Sequence, residues 1–103
     1  RGLGDVYKRQ MLVGTHTHVP TADQRILPGG TAYQTDVGMC GDYDSVIGMD
    51  KEAATDRFTG RYNSRLSVAL GAVTLCGLLV EADDAGRAQI VQSLRRGGEL
   101  APT

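Results

Sequence analysis

Residues 66–80, "LSVALGAVTLCGLLV", form the longest uncharged run of the chain, and they limit its fold more than any other segment. A membrane-spanning helix needs about 20 apolar residues. This run is shorter, is interrupted by Gly71 and Gly77, and is bounded by Arg65 and Glu81. Buried strands account for it better. Residues 67–70 read as a short strand. Val73–Ala82 reads as a second, with apolar residues on both faces as in the interior of a sheet. "DDAG", residues 83–86, then offers a hairpin turn with a glycine for positive φ. Residues 88–94 are expected to return antiparallel. Their apolar positions also fit a helix at i, i+3 and i+4, but the turn and the preceding strand require a partner. One continuous helix over 66–80 would contradict this reading.

The same logic runs along the rest of the chain. Fourteen glycines in 103 residues favour turns and strand connections over a helical bundle. Met11–Val13 reads as the end of a buried strand, and Pro20 stops pairing beyond it. "PGG", residues 28–30, is a turn, and residues 31–39, "TAYQTDVGM", read as a strand. Residues 40–49 read as a loop with at most one helical turn. Asp50 is an N-cap for a short helix over Lys51–Phe58, ended by Gly60, with Ala53, Ala54 and Phe58 on its buried side. Residues 97–103 read as a frayed tail.

Composition removes several function classes. The net charge is −1, so no basic field points to nucleic acid, and one Phe without Trp makes a base-stacking platform a poor fit. Cys40 and Cys76 are far apart in sequence and outside any C-x-x-C spacing, so both read as reduced, with Cys76 a small core residue. The N-terminus lacks an apolar signal-like stretch, and the default expectation is a soluble cytoplasmic protein without a membrane partner. Residues 1–10, "RGLGDVYKRQ", resemble a translated library adapter and read as a non-native tail.

Both histidines of the chain, His16 and His18, lie in "GTHTHVPTAD". If residues 16–18 are extended, their side chains alternate, so both imidazoles face one way and Thr17 the other. Two neutral imidazoles at a strand end are a pair of metal ligands. The alternative is two exposed or hydrogen-bonded loop histidines. Gly14 would let the backbone approach such a site closely, or is simply a turn glycine.

Residues 14–48, "GTHTHVPTADQRILPGGTAYQTDVGMCGDYDSVIG", resemble a bacterial metallophosphoesterase family, the YmdB type. The likeness rests on the paired-histidine loop, then T-A-D, the turn, T-A-Y-x-T-D-x-G-M and Y-D-S-V-I-G. It continues more weakly through Arg57–Phe58 and "AGRAQI" at residues 85–90. Asp42 departs from the pattern, where proline is expected after glycine. The resemblance implies a strand-rich α/β fold with one or two short helices, the C-terminal portion of a calcineurin-like sandwich, with residues 11–103 as a fragment of that domain. It implies hydrolysis of 2′,3′-cyclic nucleotides or similar small phosphodiesters by two divalent or mixed-valence metal ions, iron or manganese. Two metals about 3.5–4 Å apart clamp a phosphate and generate the nucleophile.

Within that resemblance His16 and His18 are ligands, one to each metal. An aspartate, a bridging acid, an asparagine and a further histidine are expected earlier in the family's sequence, so no catalytic residue is identifiable here and the fragment alone is expected to be inactive. Gly14, Thr17, Asp36 and Tyr33 are candidates for support of the ligands or for the substrate loop. Asp36 is read either as loop structure or as support of a histidine. Asp23 is read first as a capping carboxylate. Tyr33 and Tyr43 either line a phosphate or base pocket or pack with wet hydroxyls. Residues 45–49, "SVIGM", read as core. A homo-oligomer is compatible with all of this.

Two other readings remain open at this point. An amidohydrolase also carries His-x-His at a strand end, but there it opens a barrel of about 250 residues, and 85 residues follow His18 here. A small non-catalytic β-rich binding module would need a complete core within residues 11–103.

Overall fold

The computed structural model describes residues 9–60 and 66–103. The expected foreign tail therefore lies almost wholly outside the described residues. Among the described residues six strands form two three-stranded sheets, and one helix lies outside them. In the first, β1 (Met11–Val13), β2 (Arg25–Leu27) and β3 (Thr31–Gln34) lie in the order β1-β3-β2. In the second, β4 (Gly41–Asp42), β5 (Val73–Ala82) and β6 (Ala88–Arg96) lie in sequence order. The helix, α1, spans Lys51–Phe58.

β3 is the central strand of the first sheet, and three of its four residues are buried. β1 pairs with it in parallel, from Met11 opposite Ala32 to Val13 opposite Gln34. This register carries residues 14–18 alongside Thr35 and Asp36. β2 pairs antiparallel across the PGG turn, where Gly29 and Gly30 take φ of 101° and 93° and the Gly30 N–H donates to Leu27 O. No strand was expected over 25–27. Conversely, the strand expected over 31–39 ends at Gln34; beyond it the backbone bonds to Gly14 and Thr21, and Pro20, expected to stop the pairing, forms an isolated bridge with Val37.

The hairpin of the second sheet follows the expected plan. β5 and β6 pair from Leu75 opposite Arg96 to Ala82 opposite Ala88, with an irregularity between Glu81 and Ala82. Asp83 closes the turn: its Oδ1 accepts the Ala85 and Arg87 amides, and Gly86 takes φ 81°. β6 runs two residues past its expected end. Residues 66–80 are not a helix, but the strand expected over 67–70 is reduced to one bridge between Val68 and Met49. Apolar residues on both faces of β5 do not mean burial on both. Thr74 and Cys76 are buried, whereas Val73, Leu75 and Leu79 are exposed. The two sheets are stitched where the Ala88 N–H donates to Gly30 O at 2.7 Å. The tail returns to β6, with Thr103 N–H bonded to Arg95 O and Thr103 Oγ1 to Ser93 O.

Asp50 caps α1 as expected, accepting the Ala53 N–H at 3.1 Å, and Gly60 ends it at φ 72°. Ala54 is buried, but Phe58 is 84% exposed, a correction to the expected buried side. Residues 40–49 contain the two-residue β4 and bends rather than a helical turn. Asp42, where the family pattern has proline, tethers this loop: Oδ1 accepts the Asp44 N–H and Oδ2 the Gly71 N–H, each at 2.9 Å.

The interior is small and polar. Among the described residues the buried apolar side chains are Ala32, Ala54, Cys76 and Ala88, and the largest fully buried ones are Gln34, Thr31, Thr74 and Asp36. Larger apolar residues, such as Leu70 at 94% exposure, lie outside. The radius of gyration is 17.2 Å, against about 13 Å for a compact chain of 100 residues. No helix among the described residues is long and apolar enough to cross a membrane.

Candidate metal centre

The histidine loop begins where β1 stops. Gly14 extends the pairing by one residue, donating to Gln34 O at 3.1 Å and accepting from Val37 N at 3.0 Å. A Cβ on Gly14 would fall on the Thr35 carbonyl oxygen, so glycine is required for this approach of two backbones. Beyond it the chain bends at residues 17–19, and His18 takes the left-handed φ of 69°. The expected alternation of an extended 16–18 segment is therefore corrected. A bent loop, not a strand, sets the direction of the two rings.

Asp36 organises this bend. It is 1% exposed. Its Oδ2 accepts the His16 N–H at 2.7 Å, the Thr17 N–H at 2.6 Å and the Thr17 hydroxyl at 2.8 Å, and Oδ1 accepts the Gly38 N–H at 2.8 Å. The backbone amides of Thr17, Gly38 and His16 hold its carboxyl well below the usual carboxylate range. The main chain of Asp36 also fixes the far end of the loop: its N–H donates to Thr21 Oγ1, and its carbonyl accepts the Thr21 N–H. Gln34, beneath, donates from Nε2 to the carbonyls of Thr21 and Asp36.

His16 and His18 line one cavity of about 220 Å³ with Thr15, Asp36, Gly38 and Met39. His18 Nδ1 lies 2.9 Å from Ile47 O. A carbonyl only accepts, so in the neutral ring Nδ1 carries the proton and Nε2 keeps its lone pair. Metal-bound histidines are commonly oriented by such a bond from the second nitrogen. The donor chemistry thus fits a transition metal at the imidazoles. Two imidazoles are not a complete site, and among the described residues no group of three or more His, Cys, Asp or Glu side chains could hold an ion.

The other candidates separate. Thr17 bonds to Asp36 and to Val19 O rather than lining the cavity. Tyr33 stands away from it, under the Arg25 guanidinium at 4.7 Å from the ring centre, with its hydroxyl 3.2 Å from Thr35 Oγ1. Asp23 is a capping carboxylate, as first read, but it caps both its own turn and the Thr35 end of β3. It accepts the Thr21 hydroxyl at 2.6 Å and also the Thr35 hydroxyl, and these bonds hold its carboxyl well below the usual range. Tyr43 pins Met39, accepting its N–H and donating to its carbonyl, both at 2.9 Å. Burial, and then the nearby Cys76 thiol, push the Tyr43 hydroxyl up to about 12, so it stays protonated. Cys40 and Cys76 are free thiols. Sequence reasoning missed Ile47, Gly38, Met39 and Thr15. Ile47 belonged to a segment read as core, yet its side chain is exposed and its carbonyl orients His18. The T-D-x-G-M block did contain Gly38 and Met39, and the glycine two residues after Asp36 was the signal for a carboxylate closing on its own turn.

A crystal structure described as a novel phosphatase from Mycoplasma pneumoniae superposes with a TM-score of 0.78 and 38% identity, over 85% of this chain and 32% of that one. A hypothetical protein from Thermus thermophilus superposes with a TM-score of 0.77 and 34% identity, over 91% of this chain and 37% of that one. The fold is therefore part of a calcineurin-like α/β domain of the phosphatase class. The chain belongs to the YmdB-like protein family, whose model matches residues 7–94. A 2′,3′-cyclic-nucleotide 2′-phosphodiesterase of Bacillus subtilis (strain 168) is 56% identical over 73 residues. That match takes in 71% of this chain and spans 28% of the Bacillus protein's length. Family membership sets aside the amidohydrolase barrel and the free-standing binding module.

Proposed function

We propose that this chain contributes the histidine half of a dinuclear metal centre in a phosphodiesterase acting on 2′,3′-cyclic nucleotides or similar small phosphodiesters. The observation that carries the reading is the His18 ring, held through Nδ1 by the Ile47 carbonyl, with both imidazoles lining one cavity. The Bacillus relative's name supports the substrate class. In this reading residues 11–103 are the C-terminal part of a longer cytoplasmic enzyme, and a foreign tail would be confined to the residues before 7, where the family match begins. The remaining ligands, the bridging acid and any catalytic acid lie in the part that precedes.

His16 and His18 would each hold one of two ions, iron or manganese. When bound, such a pair supplies Lewis-acid stabilisation of the phosphoryl oxygens and a stronger nucleophile at neutral pH. The rest is the work of this chain's own residues. The Ile47 carbonyl fixes the tautomer of His18. Gly14 brings the loop against Thr35. The Tyr43 hydroxyl holds Met39 as one cavity wall. Tyr33, beside the loop rather than in it, supports β3 through Arg25.

The test is made in the full-length protein that carries this sequence. His16→Ala and His18→Ala should each lower metal content and remove most hydrolysis of 2′,3′-cyclic AMP. Wild-type metal stoichiometry in both variants would show that neither ring is a ligand.

A further inference from the structure

We infer that Asp36 is the positioning residue of the histidine loop: its carboxylate is a built-in anion that shapes residues 14–20 so that His16 and His18 share one cavity. The inference rests on the metal-centre reading for its consequence and on hydrogen-bond geometry for its substance. Successive backbone N–H groups that converge form a nest, a concavity that binds anions. Here the His16 and Thr17 amides converge on one oxygen, Asp36 Oδ2, supplied from 20 residues away. The nest is filled from inside the protein.

The carboxylate has no basic partner among the described residues; its charge is met by amides and one hydroxyl. Three donors reach Oδ2 and one reaches Oδ1. A carboxylate offers about four lone-pair sites, two on each oxygen, so Oδ2 is fully engaged by its three donors and is committed to the loop, although Asp36 borders the cavity. Its two oxygens also join two separate stretches of the lining. Oδ2 holds the histidine strand of the loop, and Oδ1 holds Gly38, next to Met39. The loop has no ladder of its own over residues 15–19 and contains a non-glycine residue at positive φ, so it depends on an external acceptor at this point. An asparagine cannot replace it. One amide oxygen can serve the His16–Thr17 pair or Gly38, and the NH₂ would then face an N–H.

The experiment uses the full-length protein, cobalt(II) alone as the metal probe, and amide hydrogen exchange. Asp36→Asn should keep the wild-type number of bound ions at saturation while weakening affinity about 10- to 100-fold. The His16 and Thr17 amides should lose protection while those of β5 and β6 keep theirs, and Asp36→Glu, which restores a carboxylate, should recover part of the affinity. His18→Ala is the comparator, because a lost ligand lowers stoichiometry instead. Three results would overturn the inference: wild-type affinity with protected loop amides in Asp36→Asn, a loss of stoichiometry like that of His18→Ala, or a loss of protection spread through the β5–β6 hairpin. If the wild-type protein binds no cobalt, the metal reading fails and exchange alone decides. Deprotection confined to the loop sustains Asp36 as its organiser, and unchanged protection removes it.

Discussion

Gly38 offers a measurement of how tightly the floor of the histidine cavity is packed. It sits at φ 90°, and a Cβ there would lie 2.9 Å from Pro20 Cδ, 2.9 Å from Tyr43 Oη and 3.0 Å from Pro20 N. Neither neighbour yields easily. The tyrosine hydroxyl is bonded twice to Met39, and Pro20 is bridged to Val37. Gly38→Ala therefore combines two costs: about 1–3 kcal/mol for a side chain at positive φ and about 1–3 kcal/mol for overpacking. Gly60, at φ 72° past the end of α1, has nothing within 4 Å of the position a Cβ would take, so Gly60→Ala carries only the first. The difference between the two variants isolates the crowding at about 1–3 kcal/mol. In a domain of 150–250 residues this corresponds to a melting midpoint about 2–12 °C lower for Gly38→Ala than for Gly60→Ala. Thermal unfolding of the full-length protein, with both variants in one buffer, measures it. Equal losses would show that the floor gives way freely and that the pinning by Tyr43 and Pro20 does not hold.

Expressed alone, residues 11–103 should hydrolyse no 2′,3′-cyclic AMP in manganese or ferrous iron, because two histidines are too few ligands for a closed site; turnover near that of a full-length relative would refute the half-site. Asp50→Ala should cost about 1 kcal/mol through the lost bond to the Ala53 N–H, measured by denaturant unfolding, and an unchanged midpoint would mean the cap is not formed. Asp36 and Asp23 are held below the usual carboxylate range by hydrogen bonds to their charged forms. Their stabilisation is thus complete above the unfolded value, about 4, and is lost as pH falls further. The melting midpoint should fall through the acid range, and Asp36→Asn should flatten that limb; superimposable acid limbs would contradict the assignment.

The parts of the fold legible in sequence were those written in local chemistry. The Asp50 cap, the PGG turn and the DDAG hairpin each need only residues within a few positions of one another. β2 was illegible because "RIL" is too short for periodicity; it is a strand only because β3 lies beside it. Phe58 was misplaced because helical spacing says which side a residue takes but not whether anything covers that side. The histidine pair was legible as a pair, but its geometry was not. An alternating strand was the simplest assumption, and the turn at His18 comes from a carboxylate 18 residues downstream together with a carbonyl at Ile47. Such long-range anchors leave no periodic trace.

The β5–β6 hairpin has a consequence for the order in which the molecule folds. Its strands are joined by a five-residue turn, residues 83–87, braced by Asp83, so it needs little loop closure and forms on the microsecond scale typical of hairpins. The first sheet has no such advantage: β1 reaches its partner β3 only after the whole histidine loop and β2 have been placed between them. The hairpin meets that sheet through the bond from Ala88 to Gly30, at the very turn that brings β2 onto β3. The β5–β6 hairpin is thus an early template, and the histidine loop, tied at both ends to β3 and its extension, is among the last pieces to acquire its shape. Slow steps in refolding should accordingly be read at His16 and His18, not in the hairpin.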